Sequence, residues 1–225
     1  MPEDLEHHDS PGATEDEALA ELKQRDLAPE RIAALLREPA AAKSRKVLCA
    51  VVAHPRTPRH VALPTARKLF PFELMSVAAQ PGVAPDVKRF IDELLAQRIP
   101  QLSLGERISI AKQTGGGSLA ALLADADERV LDAALNNPQL TTSHLTRALR
   151  RAHSAALLVL LIRAEKWRNN NDVKMAMLFS EHLAPEIVAE IASRLNRSEI
   201  EDAIEYGDAP EATKAWLREL LRSRS

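Results

Sequence analysis

Eight side chains between residues 147 and 174 have the types and the crowding needed to hold a charged partner: Arg147, Arg150, Arg151, Arg163, Lys166, Trp167, Arg168 and Lys174, with Asn169 to Asn171 among them. Guanidinium and ammonium groups contact phosphates or carboxylates, while an indole stacks on a base or packs beneath a helix. From 140 to 175, seven bases stand against Glu165 and Asp172, a local charge of +5; residues 1–30 carry ten acids against Lys23 and Arg25, a local charge of −8. The whole chain sums to −2, short of the clear positive footprint of most nucleic-acid binders. An acidic protein segment suits this balance better as partner, and a nucleic acid on the basic edge 147–174 is the alternative.

Other chemistries lack their residues. A zinc site needs His, Cys or carboxylate ligands at defined spacing. His7 and His8 are adjacent near the start, His54 and His60 are six apart across a turn, and His144, His153 and His182 are scattered. None makes the i, i+4 pair of a His-Glu-x-x-His helix, so no metal is expected. Gly115 to Gly117 precede Ser118 and Leu119, without the Gly-Lys-Ser/Thr of a phosphate-binding loop, and are read as the end of one helix and the start of another. Cys49, the single cysteine, can form neither an intrachain disulfide nor a cysteine cluster, and in an apolar helix it is an inert thiol. Asp125 and Asp127 are accounted for by helix capping and the macrodipole. No catalytic residue and no cofactor are expected.

The elements that must position these groups are helices. In Leu122–Leu149, Asp125 and Asp127 open a helix with Val130, Leu131, Ala134 and Leu135 at helical spacing, and Asn136-Asn137-Pro138 closes it. Leu140 turns inward, and Thr141 or Thr142 caps a second helix bearing Leu145, Ala148 and Leu149. Thr14 with Glu17, Ser103 with Glu106 and Ser198 with Glu201 have the capping-box spacing. Pro29, Pro58 and Pro185 suit helix starts, whereas Pro64 falls inside a helix, where it should kink or shorten it. Residues 47–53 are apolar nearly all round, which predicts a helix enclosed by neighbours. Trp167 to Asp172 reads as a polar connector, with Asn171 or Asp172 capping the helix that follows, and Pro81, Val83 and Pro85 repeat the turn pattern of Pro138, Leu140 and Thr142.

With 45% hydrophobic and only 3% aromatic residues, thin helix-on-helix layers are favoured over a β-sandwich. The expected fold is all-α: a right-handed α-solenoid of about 14 stacked helices, with residues 1–13 a disordered acidic tail and 14–225 a single domain. Sliding the chain by 126 residues sets Lys88–Leu95 over Lys214–Leu221 and Val47–Ala53 over Val173–Phe179, an internal duplication in which 47–97 is echoed by 173–223, with one-residue gaps where Pro58 meets Pro185. The N-terminus lacks the apolar segment of a secretory signal, and the most apolar run, Ala155–Ile162, is too short to span a bilayer. With the lone cysteine, this points to a cytoplasmic protein.

Val51–Leu63 and Leu122–Leu149 resemble the leucine-rich repeat variant, a bacterial repeat of paired helices akin to HEAT and armadillo arrays. The resemblance lies in the Asp-x-Asp opening, the apolar helix, the Asn/His-Pro step and the Thr- or Pro-started second helix. It covers about residues 26–200, most clearly near 47–63, 74–95 and 122–149, and it implies a non-catalytic scaffold for protein–protein interaction. Some members of that family carry an iron–sulfur cluster on a cysteine-rich segment; with Cys49 alone, this chain does not inherit that property. Some HEAT-like DNA glycosylases use a basic concave face, which is the precedent for the nucleic-acid alternative.

Overall fold

The computed structural model describes residues 13–150, 155–180 and 183–223. Among them are seventeen α-helices, one short 3-10 helix and no strand. The fold is all-helical, with more helices than the expected number because two supposed connectors coil into short helices of their own. Two compact units divide the chain between Leu95 and Ala96. Residues 1–12 of the expected tail lie outside the described residues; Ala13, its last residue, donates its amide to Glu38 Oε2 at 2.5 Å.

The first unit contains α1 (Glu15–Glu21), α2 (Pro29–Leu35), α3 (Pro39–Lys43), α4 (Arg45–Ala53), α5 (Arg59–Arg67), α6 (Pro71–Ala78) and α7 (Pro85–Arg98), whose final residues pass the division. Helix α1 starts where Glu17 N–H donates to Thr14 Oγ1 at 3.4 Å and the Glu17 carboxylate accepts from Thr14 N–H at 2.8 Å, the reciprocal box expected from that spacing. Pro29, Pro39 and Pro71 occupy first helical positions, where no amide proton is needed. The short α3 was not foreseen: α2 ends at Leu35, and after a turn through Leu36–Glu38 a new helix begins at Pro39. Pro64 does not break α5, which continues to Arg67, with Thr65 Oγ1 donating to Val61 O at 2.7 Å.

Helix α4 is enclosed, as its all-round apolar character predicts. Val47 and Val51 join Ala18, Leu22, Ile32, Leu35 and Ala41 in one core cluster. Leu48, Val52 and Ala53 join Ala62, Ala66, Leu69, Leu74, Val77, Val83, Val87 and Ile91 in another. One helix thus closes two cores.

The second unit begins with the 3-10 turn Ile99–Gln101 and continues with α8 (Leu104–Ala111), α9 (Gly116–Leu122), α10 (Glu128–Leu135), α11 (Thr142–Leu149), α12 (Ala155–Arg163), α13 (Glu165–Arg168), α14 (Asn171–Leu178), α15 (Pro185–Ala192), α16 (Arg197–Glu205) and α17 (Glu211–Ser223). Helices α8, α10, α12, α15 and α17 pack in succession, each against the next. The 3-10 turn, α9, α11 and α14 form a second succession beside them. The joint at Asn137 fastens this arrangement. Its side-chain amide, 1% exposed, donates to Ala111 O at 2.6 Å and Thr114 O at 2.8 Å, while its Oδ1 accepts from Gln139 N–H at 2.7 Å. Leu140 is buried beside it, and Thr141 caps α11 by accepting from His144 N–H.

Helix α9 starts at Gly116, which has φ 59°, within the glycine run read as the end of one helix and the start of another. Two local expectations are corrected. Asn170, not Asn171 or Asp172, caps α14, and the connector before it contains α13 with Trp167 in the core. Asn196 with Glu199, not Ser198 with Glu201, forms the box that opens α16; Glu201 instead pairs with Arg197 at 2.8 Å.

Helices α4 to α7 start at 45, 59, 71 and 85, and α14 to α17 start at 171, 185, 197 and 211, each 126 residues later. Pro58 is an N-cap and Pro185 a first helical residue, so the two helix frames coincide without the anticipated gap. Buried Val47, Ala66, Leu69, Leu74, Val77, Val83 and Ile91 recur as buried Val173, Ala192, Leu195, Ile200, Ala203, Ala209 and Leu217. The polar ties recur as well. Ser44 accepts from Val47 N–H and Asn170 from Val173 N–H; the Glu73 carboxylate takes Phe70 N–H and Arg45, and the Glu199 carboxylate takes Asn196 N–H and Asn171.

Candidate functional site

The eight side chains of the basic stretch do not share one surface. Trp167 is 4% exposed, and its Nε1–H donates to Leu135 O at 3.0 Å, so the indole face is spent on packing. Lys174 is 6% exposed, with Nζ donating to Arg194 O at 2.9 Å. Arg147 and Arg163 are exposed on α11 and α12. Arg150 lies with its guanidinium over the Phe179 ring at 5.6 Å, beside a groove between α11 and α14 that also meets Thr142, Thr146, Asp172 and Met175. Lys166 is exposed above the ring of its neighbour Trp167, and Arg168 is half-buried, 3.8 Å from Glu165. The fold brings Arg168 and Lys174 together, with Glu190 and Arg194, around a small recess. Arg151 lies outside the described residues, as do His7, His8, His153 and His182.

The residues set aside for catalysis or metal binding behave as their surroundings dictate. Cys49 is half-buried in α4, and burial, with help from the Glu73 carboxylate, raises its thiol above the ordinary value, which disfavours the thiolate. Asp127 caps α10, and Asp125 pairs with Arg107 at 2.8 Å while accepting Asp127 N–H. Among the described residues, no three His, Cys, Asp or Glu side chains converge as metal ligands.

One open recess of the second unit was not anticipated. It is a groove of about 630 Å³ across α8, α10 and α12, lined by Ile108, Lys112, Glu128, Arg129, Asp132, Ala133, Asn136 and Leu160. Positions 128, 129, 132, 133 and 136 share one face of α10, and 108 and 112 stand one turn apart on α8. Half-buried Ile108 and Leu160 with Ala133 make the floor, and the charges stand at the rim. Two rim groups are already held: Asp127 draws Arg129 to 2.9 Å, and Asn136 Nδ2 donates to Asp132 Oδ1 at 3.2 Å. The Arg129 guanidinium and its backbone N–H pull the Asp127 carboxyl from 3.8 down to about 2. An apolar floor between rows of fixed charges of both signs can seat a polypeptide; it holds no nucleophile beside a base. No sequence motif marks this groove, because it is made by the exposed faces of three alternate helices, α8, α10 and α12, lying side by side.

The chain was compared with family models, with curated proteins and with solved structures, and none of the three comparisons gave a match. Among the described residues, no helix is long and apolar enough to cross a membrane.

Proposed function

We propose that this is a non-catalytic helical-repeat protein whose business is to bind another protein, built as a right-handed α-solenoid of the leucine-rich-repeat-variant or HEAT-like kind. The observation that carries this reading is the succession α8, α10, α12, α15, α17, with α9, α11 and α14 beside it: in repeat stacks each helix pair buries its apolar flank against the next. The joint at Asn137 and the frame of helix starts shared at an interval of 126 residues support it, and that shared frame is the mark of an internal duplication, 47–97 echoed in 173–223. The α8/α10/α12 groove is the binding surface within this reading, and its occupant is a polypeptide segment with apolar residues for the floor and charged ones for the rim. A cytoplasmic setting accords with the single cysteine.

The nucleic-acid alternative loses Trp167 and Lys174 to the core, leaving Arg147, Arg150, Arg163 and Lys166 as its exposed described bases. One experiment separates the two. Wild type, the groove variant Lys112→Glu with Asp132→Arg, and the basic-edge variant Arg150→Glu with Arg151→Glu are used for affinity capture from native lysate, each with and without nuclease treatment. A protein held by wild type and by the basic-edge variant, and lost by the folded groove variant, is the expected result. Retention by all three overturns the groove. Capture that needs intact nucleic acid and fails in the basic-edge variant, with steep salt dependence, overturns the protein-binding reading.

A further inference from the structure

In the first unit, the place that Asn137 holds in the second is taken by a histidine. His54, the C-cap of α4, precedes Pro55, and Asn137, one residue past the C-cap of α10, precedes Pro138. Its ring is 6% exposed, and each nitrogen has a backbone partner: Nδ1 accepts from Arg56 N–H at 3.2 Å, and Nε2 lies 2.9 Å from Gln24 O. A nitrogen that accepts from an amide carries no proton, so the ring proton sits on Nε2 and is donated to Gln24 O. Asn137 repeats both bonds with an amide, its Oδ1 accepting two residues on and its Nδ2 donating to carbonyls upstream. The joint is therefore the same piece of bonding made once with a group that cannot titrate and once with a group that can.

We propose that His54 makes the joint between the loop Lys23–Asp26 and the turn His54–Pro58 responsive to protons, closed by the neutral ring and loosened by the charged one. Protonation turns Nδ1 into a donor facing the Arg56 N–H, so a buried acceptor becomes a second donor and the turn loses one of its bonds, leaving those from Thr57 to Val51 O and His54 O. The Nε2 contact to Gln24 O survives, which sends the loosening into the turn and not into α4. The charged groups on the elements that meet here are Lys23, Arg25 and Asp26 of the loop and Arg56 of the turn, whose guanidinium donates to Asp26 O at 2.5 Å. On the other flank, a Cβ built on Gly82 would lie 3.6 Å from Ala53 O and 3.9 Å from Pro55 Cδ; that turn, Gln80 to Val83, brings no titratable group. Among the described residues, no carboxylate forms an ion pair with the ring to offset its charge. The inference stands whatever the α8/α10/α12 groove binds.

The test uses the full chain as wild type and as His54→Asn, which installs the group already proven by geometry at Asn137. Thermal melting is followed from about pH 8 to about pH 5.5, the range in which an imidazole changes charge. At the upper end the variant melts within a few degrees of wild type; towards the lower end wild type falls by roughly 5 °C more than the variant. Nitrogen-detected spectra of the His54 ring show the proton on Nε2 at the upper end, and exchange of the Arg56 amide quickens on acidification in wild type alone. Parallel melting curves overturn the proposal, and so does a proton on Nδ1 at the upper end. Should His54→Asn fail to fold, the ring spectra and the Arg56 amide of wild type decide the matter by themselves.

Discussion

Asn137 shows how much one polar side chain contributes when every atom of it is used. Removing it leaves Ala111 O and Thr114 O short of a donor and Gln139 N–H short of an acceptor at a site closed to water. Asn137→Ala is expected to cost about 2–4 kcal/mol, read from denaturant unfolding. Asn137→Asp is the sharper control: it retains an acceptor for Gln139 N–H but points a carboxylate at two carbonyl oxygens, so it should cost more than alanine. An order in which aspartate is better tolerated would refute the bonding assigned here. Residues of this kind were half legible. The step Asn-Pro announced a joint, but sequence could not say which of Asn136 and Asn137 turns inward; burial of Leu140 and the reach to Ala111 O decide it. Trp167 and Lys174 were misplaced for the converse reason, since their polar ends suggested solvent and the fold gave each a carbonyl partner.

Helix starts were the most readable elements. The boxes at Thr14 and Ser103 and the prolines at 29 and 185 fall where spacing alone puts them, because the orphan amides of a first turn must be met locally. Where two boxes overlapped, as at Asn196/Glu199 and Ser198/Glu201, local chemistry could not choose; burial of Leu195 and Ile200 sets the frame. The short α3 and α13 were missed because helices of so few residues have too little periodicity to show. The start of α10 yields a pH prediction. With its folded-state carboxyl pulled down to about 2 from 3.8 by Arg129, Asp127 adds stability that is in place above the ordinary value and is lost as the pH falls towards the lower one. Asp127→Asn keeps a capping oxygen without the charge. Over that acid range its urea midpoint should fall less than that of wild type, and equal falls would remove the Arg129 pairing as the cause.

At the scale of the whole chain, the common frame of α4–α7 and α14–α17 lets one stretch comment on the other. Leu48 and Lys174 occupy equivalent places, both buried, one apolar and the other an ammonium that donates to the Arg194 carbonyl. Lys174→Leu is therefore expected to raise stability by about 1–2 kcal/mol, because it removes a desolvated charge while Arg194 O, on a half-buried residue, can turn to water. A lower unfolding midpoint would mean that Lys174 is needed where it stands. The all-helical class and the duplicated spacing were written in the sequence. The α8/α10/α12 groove was not, since no local pattern encodes how far the outer faces of neighbouring helices part from one another.

The position of α4 has a consequence for anyone who would shorten this chain. Val47 and Val51 are wholly hidden because residues from α1 to α3 cover them. Cutting away the leading forty or so residues would not trim an appendage; it would lay bare an oily stripe on the very rod that also anchors Leu48 and Val52 in the opposite cluster. Such a fragment would meet its own copies through that stripe, and any self-association it displayed would be a product of the cut.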